Sequence, residues 1–172
     1  MSLALVEAIA GSERATIVAR ELGVADWSPV HDSNDFRLNT RYVLTAARNE
    51  LFFWSHENVG IPVSPGVDEI ALALVADAWS RTYRSQAFAV SNSQEPIATK
   101  RGLVLIPDYV AGVSKRLQRS LPPFGSEPSA HALDWALTQI ADSYGPATAA
   151  FVALQMEYRQ SGTDFAPRET DR

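Results

Sequence analysis

A helical segment occurs twice in this chain of 172 residues, once near each end. Apolar residues recur at three- and four-residue spacings in residues 2–22 and again in residues 136–156, a period typical of helices. The matched pairs are Leu3 with Leu137, Val6 with Ile140 and Gly11 with Gly145. Because glycine weakens helix interiors, each copy is expected to be two helices, or one helix bent at its glycine. The repeat suggests two copies of one supersecondary unit.

The composition excludes several classes of protein. The sequence contains no cysteine, which rules out disulfides, thiolate metal sites and a cysteine nucleophile. A net charge of −5 gives no general attraction to nucleic acid or to anionic membranes. No apolar run approaches the ~20 residues of a spanning helix, and no secretion signal follows Met1. We therefore expect a cytoplasmic protein that has no membrane partner.

The centre of the chain alternates between strand-like and helical runs. The pattern predicts strands over 59–63, 86–90, 97–99 and 103–106, and helices over 40–56, 109–119, 130–143 and 146–160. A further helix has Asp68 and Glu69 in its first turn, where carboxylates complement the helix dipole. This order predicts an α/β fold, with a small, partly parallel sheet of about three to four strands flanked by helices, and a helical N-terminal segment.

Several of these segments resemble the ThiJ/PfpI superfamily, which has the class I glutamine-amidotransferase-like fold. The run Val59-Gly-Ile-Pro-Val-Ser-Pro-Gly-Val-Asp-Glu-Ile70 is similar to that family's first strand and first helix. The run Thr99-Lys-Arg-Gly-Leu-Val-Leu-Ile-Pro-Asp108 is similar to its hairpin, and the repeated helical unit resembles its closing helices. The resemblance implies a shortened or partial member, divided into a helical segment with a linker helix over 1–56, a shortened α/β domain over 57–160 and a flexible tail over 161–172.

The chain departs from that family where its enzymes do their chemistry. The resemblance implies a cysteine on a strand-to-helix elbow, between Asp108 and the closing helices, and an acidic residue in the first helix that lowers the pKa of the thiol. This sequence has no cysteine, and the position of the acidic residue matches Ala71. Since thiol catalysis needs both the sulfur and its environment, we expect no enzymatic activity and no cofactor.

Three functions remain open from the sequence. We favour a non-catalytic module, a pseudoenzyme that binds a small ligand or another protein. One alternative is a fragment of a ThiJ/PfpI-family hydrolase or hydratase whose catalytic part lies outside this chain. A second alternative is a component of a transcriptional regulator, because the four-residue spacing of Ala15, Ala19 and Gly23 is similar to that of a helix-turn-helix motif. The segment that follows is acidic and interrupted by proline, so we expect no nucleic-acid partner.

The candidate site residues each have a structural explanation. His31 with Asp32 and Asp35 would suit a divalent metal, but a turn explains them as well, so we predict no metal site. Three weak candidates for a ligand pocket are Asp68, Glu69 and His56. We favour helix capping for Asp68 and Glu69, and contact with the C-terminal dipole of a helix for His56.

Two further expectations concern exposed surfaces. Lys115, Arg116 and Arg119 are expected on the solvated face of a helix. The apolar stripe of the helical segment 2–22 needs cover, either from a second copy of the chain in a homo-oligomer or from an upstream domain.

Overall fold

The computed structural model of the protein describes residues 2–24, 36–51, 56–113 and 116–158. The helices are α1 (Ser2–Leu22), α2 (Thr40–Leu51), α3 (Glu69–Ser80), α4 (Ala132–Tyr144) and α5 (Pro146–Gln155), with a 3-10 turn at Ser129–His131. The strands are β1 (Glu57–Pro62), β2 (Ser85–Ser91), β3 (Ile97–Ala98), β4 (Val104–Leu105), β5 (Tyr109–Val110) and β6 (Arg119–Ser120).

Four strands form one parallel sheet in the order β5-β2-β1-β6. The longest pairing joins β1 to β2, from Glu57 opposite Ser85 to Pro62 opposite Val90. Helix α3 connects these two strands, because adjacent parallel strands need a crossover. Strands β3 and β4 form a separate antiparallel hairpin. The predicted α/β fold with a small, partly parallel sheet is confirmed.

The strand order reverses direction beside β1. The chain places β2 and then β5 on one side of β1, and it returns to place β6 on the other side. In open parallel sheets, the crevice at such a reversal, outside the carboxyl ends of the strands, is where ligands bind. The topology therefore directs attention to the carboxyl ends of β1 and β6.

The hydrophobic core formed by the described residues lies among β1, α3, α4 and α5. Its largest fully buried side chain is Trp79 of α3, whose ring meets Tyr144 edge to face at a centroid distance of 5.5 Å. Helix α3 also buries Ala71, Val75 and Ala78. The sequence of α3 is nearly all apolar, which is typical of a helix that is covered by other elements on most sides. None of the helices in the described ranges has both the length and the apolar content needed to cross a membrane.

Both copies of the repeated helical unit form. Helix α1 is interrupted at Gly11, whose backbone is not helical, and α4 meets α5 at Gly145. Pro146 occupies the first position of α5, where its missing N–H costs nothing. The prediction of a helix pair bent at each glycine is confirmed.

Helix α2 docks through a polar side chain. Asn49 is 4% exposed, and its Nδ2 donates to the carbonyl oxygen of Thr82 at 2.9 Å and to Oγ1 of Thr148 at 3.3 Å. The apolar residues Leu44 and Leu51 are instead 64% and 70% exposed. The observed helix ends at Leu51, whereas the sequence predicted a helix over 40–56. Residues 52–55 of that prediction lie outside the described residues.

The predicted helix over 109–119 is wrong. Tyr109 and Val110 form β5, and Arg119 begins β6. Aromatic and β-branched residues suit strands, and the backbone N–H of Ala111 bonds to the carbonyl oxygen of Ser91 at 2.8 Å. Gly112 then takes a positive φ of 73°, which a helix does not allow. The sheet therefore supplies the hydrogen bonds that a helix would have made.

Candidate ligand site

A cavity of ≈ 450 Å³ opens at the carboxyl ends of β1 and β6. Its walls come from the end of β1, the turn that leads into α3, the first half of α3, the loop after β6 and α4. The lining residues are Ile61, Pro62, Ser64, Pro65, Gly66, Val67, Asp68, Ala71, Leu72, Val75, Lys100, Pro123, Phe124, Gly125, Ser126, Glu127 and Trp135. The cavity thus lies at the reversal of strand order.

One wall of the cavity is aromatic. Phe124, from the loop after β6, meets Trp135 of α4 edge to face, with ring centroids 5.7 Å apart and planes at 70°. This is a favourable aromatic geometry. Ala71 is 2% exposed and contributes a methyl group where the family resemblance implies an acidic side chain. Most of the wall is therefore apolar.

Asp68 immediately precedes α3 and makes several polar contacts in the cavity wall. Its Oδ1 accepts the backbone N–H groups of Ile70 at 3.0 Å and Ala71 at 3.1 Å. This is N-capping, in which a side-chain oxygen satisfies donors left free at the start of a helix. The predicted capping role of Asp68 is confirmed.

The same carboxylate ties two other segments to α3. Ser129, in the turn before α4, donates to Oδ2 of Asp68 at 2.8 Å. Two cations in the turn of the β3–β4 hairpin also contact the Asp68 carboxylate. Nζ of Lys100 lies 3.4 Å from Oδ2, and Nη1 of Arg101 lies 3.1 Å from Oδ1. Burial by itself raises the pKa of Asp68, but the hydrogen bonds from Ser129, Ala71 and Arg101 together outweigh burial and hold that pKa far below its usual range.

Glu69 lies beside the cavity rather than in its wall. Its Oε2 accepts the backbone N–H of Arg101 at 3.3 Å, and its Oε1 lies 3.7 Å from the guanidinium of Arg101. The same guanidinium reaches Glu21 of α1 at 3.5 Å. Glu69 therefore anchors the hairpin turn, together with Asp68.

His56 lies at the opposite end of the sheet, just before β1. Its Nε2 is 3.1 Å from the carbonyl oxygen of Asn49 in α2, which agrees with the predicted contact near a helix C-terminus. It lines a polar depression with Glu50, Glu57 and Tyr83. The structure thus brings Asp68 and Glu69 together and keeps His56 apart from them.

A charged cluster fixes the same amino-terminal end of the sheet. Arg119 of β6 donates from Nε to Oε2 of Glu57 at 2.8 Å, and the hydroxyl of Tyr144 donates to that oxygen at 3.1 Å. The guanidinium of Arg84 lies 4.4 Å from the centre of the Tyr144 ring. Burial raises the pKa of Glu57, but Arg119 and Tyr144 reverse the direction and lower it. Arg119 is thus held by Glu57, and the predicted solvated patch with Lys115 and Arg116 is wrong for Arg119.

Within the described residues, no three His, Asp or Glu side chains lie close enough together to hold a metal ion. The candidates His31, Asp32 and Asp35 lie outside the described residues, as do residues 161–172.

Sequence reasoning missed the aromatic wall. The run Pro123-Phe124-Gly125 was the available signal, because it combines an apolar ring with stiff and compact neighbours. Its meaning depends on β6, a strand of two residues that the sequence pattern did not predict.

The similarity found between this chain and known proteins is one of three-dimensional structure. No protein-family model and no curated protein matches the sequence. Among solved structures, oxidised DJ-1 of Toxoplasma gondii matches with a TM-score of 0.51 and 13% identity, over 59% of this chain and 98% of that chain. The VC2308 protein matches with a TM-score of 0.52 and 13% identity, over 63% of this chain and 100% of that chain. A ThiJ/PfpI family protein from Pseudomonas syringae matches with a TM-score of 0.36 and 20% identity, over 61% of this chain and 40% of that chain.

Sequence identities as low as these show a common fold and do not show a common function. The matched part of this chain is about three-fifths of its length, yet in the first two cases it reaches across nearly the whole of the other protein. The chain therefore has the fold of the DJ-1/ThiJ/PfpI superfamily, as its sequence resemblance predicted.

Proposed function

We propose that this protein is a non-catalytic binding module that takes a small ligand in the cavity at the carboxyl ends of β1 and β6. The observation that carries the proposal is the coincidence of this cavity with the reversal of strand order. Ligands of open parallel sheets bind at that place. A volume of ≈ 450 Å³ and a mostly apolar wall with a few polar groups are also typical of small-molecule sites.

Two features of the cavity support binding without catalysis. Asp68 is already engaged by a helix N-terminus, a hydroxyl and two cations, so it is not poised to take a proton near neutral pH. The chain also has no cysteine and has Ala71 where the family resemblance implies an acidic residue. The cavity therefore offers a shaped apolar surface and no activated nucleophile.

Filling the cavity tests the proposal. Gly125 lines it, has no positive φ, and a Cβ built there meets nothing within 4 Å, so Gly125→Phe adds a ring without backbone strain. A library of small molecules would be screened by thermal unfolding, because a ligand that binds the native state raises Tm. We expect ligands that stabilise the wild type and not Gly125→Phe. The matched control is Gln86→Phe, an exposed position at the other end of the sheet, which should keep binding. Equal stabilisation of all three proteins would contradict the proposal.

We also propose that two copies of the chain associate through α1. Helix α1 buries Leu3, Ala15 and Ala19, but Leu5 and Ile9 remain 60% and 78% exposed. Large apolar side chains that share one exposed face mark interaction surfaces. Light scattering on the eluting protein should give a dimer that the double variant Leu5→Glu/Ile9→Glu converts to monomer. Arg20→Glu, an exposed change on the same helix that also alters the charge by two, should remain dimeric. A monomeric wild type would contradict this second proposal.

A further inference from the structure

We infer that the ligand of this cavity is an uncharged aromatic compound, bound against Phe124 and Trp135 with a polar group near Ser64 or Ser126. The inference rests on the proposed function and names the chemical class that the same site would accept.

The charges of the cavity argue against an anionic ligand. The start of a helix commonly attracts anions through its free N–H groups. Here Oδ1 of Asp68 already accepts the N–H groups of Ile70 and Ala71. Lys100, the cation in the cavity wall, lies 3.4 Å from Oδ2 of the same carboxylate. An incoming anion would have to compete with Asp68 for every one of these donors.

The charges argue equally against a cationic ligand. The carboxylate of Asp68 is paired with Lys100, with Arg101 and with the hydroxyl of Ser129. The other carboxylate in the wall belongs to Glu127, whose side chain is 67% exposed and lies 3.7 Å from Nδ1 of His131. Charges so exposed interact weakly because water and salt screen them. The charged groups in the cavity wall thus already lie beside partners, and none of them is a buried charge without one.

The apolar wall favours a flat ring. Phe124 and Trp135 already meet edge to face, and a third ring can join them in stacked or edge-on geometry. Pro62, Pro65 and Pro123 line the cavity as well, and their restricted backbones keep its shape. The hydroxyls of Ser64 and Ser126 can each donate or accept one hydrogen bond to a polar substituent.

Three matched probes of one size and different charge test the inference. Naphthylmethanol is neutral, naphthoate is anionic and naphthylmethylammonium is cationic at neutral pH. Each would be titrated into the wild-type protein and followed by calorimetry and by NMR shifts of the Trp135 indole and the Gly125 amide. We expect the alcohol to bind at least tenfold more tightly than either ion, and Gly125→Phe to abolish that binding.

A variant at Asp68 provides an internal check. In Asp68→Asn, Lys100 and Arg101 lose their shared carboxylate, so the preference should shift toward naphthoate by about tenfold relative to the wild type. If naphthoate or the ammonium probe binds the wild-type cavity as tightly as the alcohol, the ligand is not neutral and only this inference is overturned. If no probe and no library compound binds at the cavity, the proposed function itself fails.

Discussion

Gly11 and Gly145 hold the same unusual backbone conformation at matched positions of the two helical repeats. Gly11 has φ 83° and ψ 164°, and Gly145 has φ 91° and ψ 157°. This region of backbone space is essentially open to glycine alone. The next matched pair, Ala15 and Ala149, is also buried in both copies. The sequence repeat is therefore a structural repeat, in which a glycine sets the angle between two helices.

Replacing the glycine between α4 and α5 should destabilise the protein. A Cβ at position 145 meets nothing within 4 Å, so the cost of Gly145→Ala comes from the backbone and not from a clash. Holding a non-glycine residue in such a conformation costs about 1–3 kcal/mol. Urea denaturation should show this loss. Gly125→Ala, which has equal space and no positive φ, should change the free energy of unfolding by less than about 0.5 kcal/mol. Equal effects of the two substitutions would mean that the conformation at Gly145 carries no strain.

The carboxylate of Asp68 should make stability depend on acid pH. Its folded pKa lies below the ordinary value of about 3.9, so its contribution is complete above that pH and is lost as the pH falls toward the folded pKa. Asp68→Asn should lose about 1–3 kcal/mol at pH 7, because charge-assisted hydrogen bonds are removed. The difference from wild type should narrow below about pH 4.

The measurement is a series of urea titrations between pH 3 and pH 7. Asp77→Asn serves as the control, since Asp77 of α3 forms an exposed ion pair with Arg81, the residue that caps the end of that helix. Pairs of that kind contribute about 0–1 kcal/mol, so this variant should follow the wild type at every pH. A gap between Asp68→Asn and wild type that stays constant down to pH 3 would contradict the assigned role of Asp68.

The sequence predicted those parts of the fold that depend on local pattern. The largely apolar run of α3, the cap at Asp68 and the two helix-breaking glycines are each set by a few neighbouring residues. The strand β1 and its partner β2 were also predictable, because the segments 59–63 and 86–90 contain several apolar or β-branched residues. Local chemistry was sufficient for these elements.

The parts that were missed depend on contacts between distant segments. Strands β5 and β6 have two residues each and exist because β2 and β1 offer free edges to them. Without β6, the sequence could not place Phe124 beside the end of β1, nor bring it to Trp135. The engagement of Asp68 by Lys100 and Ser129 joins residues far apart in the chain. Only half of that site, the cap, was predictable.

The docking of α2 should depend on one amide. Asn49 is buried and donates to Thr82 and Thr148, so Asn49→Ala removes both hydrogen bonds and leaves the Thr82 carbonyl oxygen without that donor. An unsatisfied buried group costs about 1–3 kcal/mol. We expect faster amide hydrogen exchange throughout α2 and no change in the core of α3. Arg48→Ala, an exposed change on the same helix, should leave exchange unaltered. Unchanged protection of α2 in Asn49→Ala would show that other contacts hold the helix.

The hydroxyl of Tyr144 should contribute to stability through Glu57. Tyr144→Phe keeps the ring against Trp79 and Arg84 but removes the donor to Oε2 of Glu57. A hydrogen bond to a charged group contributes about 1.5–3 kcal/mol, so a loss in this range is expected at pH 7. Because the folded pKa of Glu57 lies below its ordinary value of about 4.3, the carboxylate stays ionised in the folded state to a lower pH than in the unfolded chain.

The penalty of Tyr144→Phe should therefore be constant from pH 7 to about pH 5 and should shrink as Glu57 takes up a proton at lower pH. Thermal unfolding across that range measures it. Tyr83→Phe is the matched control, since Tyr83 is 42% exposed and packs on Phe151 through its ring alone in the contacts described. Its free energy of unfolding should stay within about 0.5 kcal/mol of wild type. A Tyr144→Phe penalty that grew in acid would mean that the hydroxyl acts on some group other than the Glu57 carboxylate.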